Sequence, residues 1–189
     1  MRITLASKSP RRKELLSLFG KDFSQVVTSA DESYDEGLEP RDIARVIATK
    51  KAMSITARED EIIIGCDTIV VSPEGEIMGK PRDRDDAIRM LKALSGKSHL
   101  VISGLCVHSS KKAYSTSVVT TVYMRELLDS EIQYYVDKNP PLDKAGAYGI
   151  QEMAGAFVER IDGDFFNVVG LPLCTLSEIL RNEFDYDLM

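Results

Sequence analysis

The stretch Ile62-Ile63-Ile64-Gly65-Cys66-Asp67-Thr68-Ile69-Val70-Val71 decides how the chain is read. Ile62 to Cys66 run without a charge, the mark of a strand covered on both faces. Strands of that kind belong to sheets with helices packed on them, so an α/β fold with a mixed sheet is expected. Asp67 interrupts the run, and Ile69 to Val71 resume it at once. A carboxylate inside an apolar strand is costly unless it is paired, hydrogen-bonded or metal-bound. Asp67 therefore reads as a ligand or base; the alternative is a strand end facing water, which the returning apolar residues disfavour.

Upstream, Ile3 to Leu5 reads as a short buried strand, followed by Ser9 and Pro10 as N-cap and first-turn residue. Leu15, Leu16 and Leu18 supply the face of that helix, and Gly20 stops it. Phe23 to Val27 reads as a strand, and Pro40 opens a longer helix with Ile43, Ala44 and Ile47 at helical spacing. Downstream, Pro73-Glu74-Gly75 is a turn that returns through Ile77-Met78, and Asp83 precedes an amphipathic helix ending near Gly96. His99 to His108 and Lys112 to Met124 read as strands. Asp129 starts a helix that stops at Asn139-Pro140-Pro141. A Gly/Ala-rich stretch from Lys144 to Ala156, a strand from Phe157 to Ile161 and a final helix from Leu171-Pro172 to about Asn182 complete the chain. No linker or clean boundary appears, and residues 1–189 are read as a single domain.

Composition narrows the function. The 189 residues carry 24 Lys plus Arg against 30 Asp plus Glu, a net charge of −6. That balance argues against nucleic acid as a partner, because such binding draws on phosphate neutralisation by basic residues. It leaves room for a small polyanion held by a local basic cluster. No run approaches the roughly 20 apolar residues that cross a bilayer, and the N-terminus is too short in apolar residues for a signal peptide. Cys66, Cys106 and Cys174 show no C-x-x-C spacing, and only two His exist, His99 and His108. Three buried thiols in a reducing cytoplasm is the expectation, and a His-rich metal site is excluded. Gly96-Lys97-Ser98 resembles the end of a phosphate-binding loop, but position 91 is Leu where that loop needs Gly, and a strand pattern follows.

Within this frame the candidate chemistry clusters in a few places. Ser7-Lys8-Ser9-Pro10-Arg11-Arg12 joins a strand end to a helix start, with hydroxyls and two arginines at free backbone N–H groups. Arginine opposes the dipole in a first turn, so an anion is expected there; a capped helix with solvated basic residues is the plainer alternative. The acidic stretch Asp31 to Glu36 reads mostly as a solvated loop. One of its carboxylates is a possible companion to Asp67 around a divalent cation, since Mg²⁺ needs only one or two protein carboxylates when phosphates supply the rest. Gly79-Lys80-Pro81 is able to place an ammonium on a phosphate, or to be an ordinary surface turn. Lys51, on a helix, reads by position alone as solvated. Asp143-Lys144-Ala145-Gly146-Ala147-Tyr148-Gly149-Ile150-Gln151 combines glycines that permit close approach with a Gln suited to a base edge; a packed bend is equally consistent. Asp162-Gly163-Asp164 reads as a plain turn.

Taken together, the Ser7 to Leu16 segment, Gly65-Cys66-Asp67-Thr68, Gly79-Lys80-Pro81, Leu94 to His99, Asp143 to Gln151 and Val168-Val169-Gly170-Leu171-Pro172 resemble the Maf family, some of whose members are called septum formation inhibitors. The resemblance runs in order over nearly the whole chain. It implies a nucleoside triphosphate pyrophosphatase that cuts the α–β phosphate link with a divalent metal. It also implies a mixed sheet flanked by helices, with two lobes around a central cleft, similar to the inosine triphosphate pyrophosphatases. Carried over by residue, Asp67 matches the catalytic base. Arg11, Thr68 and Gln151 match positions of substrate choice. Ser7, Arg12, Glu32, Lys51 and Lys80 match residues handling phosphate or metal. The Asp143 to Gln151 form resembles the branch acting on dTTP and UTP, and a homodimer is expected from the same likeness. Glu152 stands where the family often has Gly, and Cys66 where Ala is commoner.

The resulting expectation is that Arg11, Arg12, Lys51 and Lys80 neutralise a triphosphate, that Asp67 and Glu32 hold Mg²⁺ or Mn²⁺, and that Asp67 orients or deprotonates water. Thr68 and Gln151 then read the base. The rival readings are a pyrophosphatase for modified or non-standard nucleotides and a non-catalytic nucleotide-binding regulator of septum formation.

Overall fold

A computed structural model describes residues 1–189. Strands β1 (Arg2–Ala6), β2 (Phe23–Val26), β3 (Glu61–Val71), β4 (Ile77–Met78), β5 (Ser98–His108), β6 (Ala113–Met124) and β7 (Val158–Asp162) form one mixed sheet. Its order is β2-β1-β3-β5-β6-β7, with β4 paired to β3. The helices are α1 (Pro10–Ser17), α2 (Pro40–Met53), α3 (Arg84–Leu94), α4 (Asp129–Lys138), α5 (Phe165–Val169) and α6 (Leu173–Phe184). No helix is long and apolar enough to cross a membrane.

By internal packing the chain divides into two compact units, and it passes from one to the other four times. The first holds residues 1–67, 103–118 and 170–189; the second holds 68–102 and 119–169. Strands β3, β5 and β6 each contribute residues to both.

In the first unit, β1 pairs in parallel with β2 and with β3, in the register Ala6↔Gly65. Parallel neighbours require crossovers, and α1 and α2 provide them. Helix α2 turns a face of small residues inward: Ala44, Ala48 and Ala52 are fully buried, beside Ile63 and Cys106. Two glycines let its backbone come close. A Cβ on Gly65 would lie 2.5 Å from the Ala48 carbonyl oxygen, and one on Gly104 would lie 2.0 Å from that of Ala44. Any side chain at either position would push α2 off the sheet.

In the second unit, β3 turns into β4 through Ser72 to Glu76, where Ser72 N–H donates to Glu76 O at 2.8 Å and Gly75 has φ 88°. Asp83 caps α3, accepting from Asp86 N–H at 2.9 Å. Helices α3 and α4 bury Leu91, Leu94, Ile132 and Tyr135 against Val101, Val122 and Phe157. Tyr135 meets Phe157 edge to face at 5.3 Å. His99 is buried in the same core, its Nε2 2.8 Å from the Tyr148 hydroxyl. Burial pushes the His99 pKa down to about 4 and the Tyr148 hydroxyl well above its ordinary range.

The expected elements match closely, with four exceptions. Leu18, read as part of the apolar face of α1, lies past the end of that helix and is 67% exposed. The five-residue helix α5 was not expected, and Asp164, read as part of a plain turn, caps it through Phe166 N–H at 2.7 Å. The last helix starts at Leu173 and runs to Phe184. Cys66 and Cys106 are buried as expected, but Cys174 is exposed, because it lies in the first turn of α6 on the side away from buried Leu176 and Ile179.

Candidate functional site

Asp67 lies in the middle of β3, with 15% of its side chain exposed. Its Oδ1 is 2.6 Å from Lys51 Nζ, which is also 2.9 Å from Glu32 Oε1. Lys51 is therefore not the solvated residue that its place on a helix suggests: only 13% of its side chain is exposed. The reason lies in the packing of α2. Gly65 and Asp67 share one face of β3, since alternate residues of a strand point the same way. Gly65 admits the α2 backbone at Ala48 and Ala52, so Lys51, on the intervening turn, reaches Asp67. The preceding residue, Lys50, donates to Ser33 O at 2.8 Å and pairs with Asp31 at 3.6 Å. Two lysines in the last turn of α2 suit its negative end; Lys51 holds Glu32 directly, and Lys50 touches the same loop only through exposed contacts. Hydrogen bonds from Ser33 hold the Asp31 carboxyl below its usual range, with Lys50 adding to the effect.

The turn from β1 into α1 gathers the second set. Ser7 is buried, and its Oγ accepts from Ser9 N–H at 3.2 Å. Arg12 is 9% exposed; its Nε donates to Gly170 O at 2.8 Å and its Nη1 to Ser7 Oγ at 3.3 Å. Ser9 caps α1 at a long 3.5 Å to Arg12 N–H, and no acidic residue stands in the first turn. Gln25 on β2 donates to Ser7 O at 2.8 Å, bracing the turn. Arg11 is half-buried on the same turn.

These two sets meet at one atom. Gly170 O accepts from Arg12 Nε and, at 3.3 Å, from the thiol of Cys66, the residue before Asp67. The double-arginine turn and the acidic strand thus lock to the same carbonyl, within the first unit. Sequence reading missed Gly170 as a participant. Its only local signal is a glycine before Leu-Pro, and its φ of 126° explains that glycine.

The remaining candidates belong to the second unit. Thr68 follows Asp67 on β3, half-buried and on the opposite face of the pleat. Lys80 is exposed in the turn after β4. That turn is tied to the Gly/Ala-rich stretch, because Gly146 N–H donates to Gly79 O at 3.1 Å. Gly146 has φ 68° and backs onto Val70, which leaves 3.0 Å for a Cβ. Gln151 is exposed, in a turn between two short 3₁₀ segments, Ala145–Ala147 and Met153–Phe157.

No group of three or more His, Cys, Asp or Glu has metal-holding geometry. Asp67 and Glu32 nevertheless place carboxylate oxygens within 2.6 and 2.9 Å of one cationic centre, the Lys51 ammonium. Hard oxygen donors in that number suit Mg²⁺ or Mn²⁺ when a phosphate chain supplies the other ligands.

The fold has relatives among solved structures. The Staphylococcus aureus Ham1 protein superposes with a TM-score of 0.54, covering 97% of this chain and all (100%) of its own at 12% identity. A HAM1 protein from Coxiella burnetii gives 0.50 over 96% of this chain and 99% of its own, at 13% identity. The class is therefore the mixed-sheet α/β fold of the Ham1 proteins. Within it, the model of the family described as Maf-like protein matches residues 2–183, and the chain belongs to that family. A protein of Acetivibrio thermocellus named dTTP/UTP pyrophosphatase is 48% identical, over 96% of this chain and 95% of its own. Proteins of the same name from Alkaliphilus metalliredigens and Aquifex aeolicus are 45% identical, over 100% and 96% of this chain and 99% and 95% of their own.

Proposed function

We propose that this Maf-family protein is a cytoplasmic nucleoside triphosphate pyrophosphatase that hydrolyses dTTP and UTP to the nucleoside monophosphate and pyrophosphate. The observation that carries the reading is the junction at Gly170 O. A buried arginine at a helix start shares that anchor with Cys66, the strand neighbour of Asp67, the acid that Lys51 bridges to Glu32. The curated relatives named for this reaction support it over the full chain.

In this reading water attacks the α-phosphorus. A new P–O bond forms as the bond to the α–β bridging oxygen breaks, and pyrophosphate leaves. Asp67 orients the water and takes its proton. Arg11, Arg12, Lys51 and Lys80 offset charge on the phosphates and on the leaving group, and Ser7 holds Arg12 in place. Asp67 and Glu32 would hold the divalent ion, which when bound supplies further neutralisation of the phosphate oxygens. Thr68 and Gln151 choose the base.

The test is a panel of nucleoside triphosphates with product identification. Pyrophosphate from dTTP and UTP ahead of the other nucleotides is expected. Orthophosphate release, or no turnover of any triphosphate with Mg²⁺ or Mn²⁺, would overturn the reading.

A further inference from the structure

Lys144 is a lysine in the wrong environment for a free charge: 8% of its side chain is exposed. A buried ammonium needs partners, and two carboxylates supply them. Asp143 Oδ1 lies 2.8 Å from Nζ and Glu152 Oε1 lies 3.2 Å from it. The other oxygen of Glu152, Oε2, accepts from Asn139 Nδ2, at the end of α4, at 2.6 Å. One carboxylate therefore ties a buried lysine to a helix terminus.

The segment held by this clamp is the turn that carries Gln151. Glu152 N–H closes the turn onto Gly149 O at 3.0 Å, and Gly155 N–H donates to Glu152 O at 2.9 Å. Gly149 rests directly on the lysine: a Cβ there would meet Lys144 Cε at 2.9 Å, Lys144 Cδ at 3.1 Å and Glu152 Cδ at 3.3 Å. The lysine stem is the floor of the turn and the Glu152 carboxylate its tether. Gln151, between Gly149 and Glu152, is exposed, on a turn whose two ends the clamp holds. Glu152 itself has φ −109° and ψ −162°, extended backbone open to any residue. A side chain at this position thus costs no strain, and this one adds a tether.

We propose that Glu152, through Lys144 and Asn139, is a positioning residue that fixes the Gln151 turn and thereby sharpens the choice of base. The inference rests on the role given to Gln151 in the proposed pyrophosphatase reaction. Glu152 touches no reacting atom, so its effect belongs to recognition: base preference and KM, more than kcat.

The experiment compares wild type, Glu152→Gln and Glu152→Gly on dTTP, UTP and dCTP, with kcat and KM for each and a melting curve for each protein. Gln keeps one acceptor oxygen, turns the other into a donor and loses the charge; Gly releases the turn. The expected result is a fall in the kcat/KM ratio of dTTP over dCTP, about 3-fold for Gln and about 10-fold for Gly, expressed mainly in KM. An unchanged ratio in both variants would overturn the proposal, as would a fall in kcat alone with the ratio kept. If Glu152→Gly melts early, the Gln variant alone decides, because its side-chain shape is retained. A wild type that hydrolyses none of the nucleotides would instead sink the pyrophosphatase reading, a result separate from either variant's.

Discussion

Lys51 on α2 and Asp67 on β3 are joined at 2.6 Å, across 16 residues of sequence, by the absence of a side chain at Gly65. The glycine lets the helix backbone settle on the strand, and the ammonium follows. An acid that would be costly in an apolar strand is thereby paired with a cation that also meets a second carboxylate, Glu32.

The first consequence concerns Asp67 itself. Asp67→Asn keeps the shape and a hydrogen bond to neighbouring groups but removes the proton acceptor. We expect kcat on dTTP to fall by roughly 10²–10⁴, with circular dichroism and melting temperature close to wild type. Wild-type turnover by the purified variant would remove Asp67 from the mechanism.

Lys51 is separable from its neighbour Lys50. Lys51→Met leaves Asp67 and Glu32 facing each other without their shared cation, and kcat/KM for dTTP should fall by about 10²-fold. Lys50→Met breaks only exposed contacts to Ser33 and Asp31, and a change of less than about 3-fold is expected. Equal losses in the two variants would contradict the assignment.

Close backbone packing at Gly65 predicts a stability defect. In Gly65→Ala the Cβ would sit 2.5 Å from Ala48 O and 2.7 Å from Ala52 N, both backbone atoms. Chemical denaturation should report a loss of about 3 kcal/mol or more. Gly79→Ala, with nothing within 4 Å of the added carbon, should stay within about 0.5 kcal/mol of wild type.

Buried His99 gives the fold an acid limit. Its pKa falls from about 6.5 in the unfolded chain to about 4 in the core. Between those values the unfolded state binds the extra proton, so stability rises with pH across the window. The contribution is complete above about pH 6.5 and drains away as pH falls toward 4, for a total of about 3 kcal/mol. Denaturation midpoints of wild type and His99→Phe should have different slopes against pH in that window, shallower in the variant. Parallel slopes would show that His99 does not set the limit.

Much of this architecture was legible from local pattern. The apolar run around Asp67, the Pro at the first turns of α1 and α2, and the Asp83 cap each act over a few residues, and each appears where periodicity and capping placed it. The short helix α5 escaped because five residues carry too little periodicity to distinguish from a loop. Its cap, Asp164, is held from outside the segment by Thr120 on β6.

What the amino-acid order alone determined is therefore the set of helices and strands and the presence of an acid where an apolar side chain belongs, because backbone propensity and side-chain period are local properties. Tertiary packing decided which cation meets that acid, and that Arg12 and Cys66 converge on a carbonyl 158 residues from Arg12 in the chain. The Lys51–Asp67 pairing depends on how closely α2 can approach the sheet. That distance is governed by the atoms missing at Gly65 and Gly104, and no spacing along the chain encodes it.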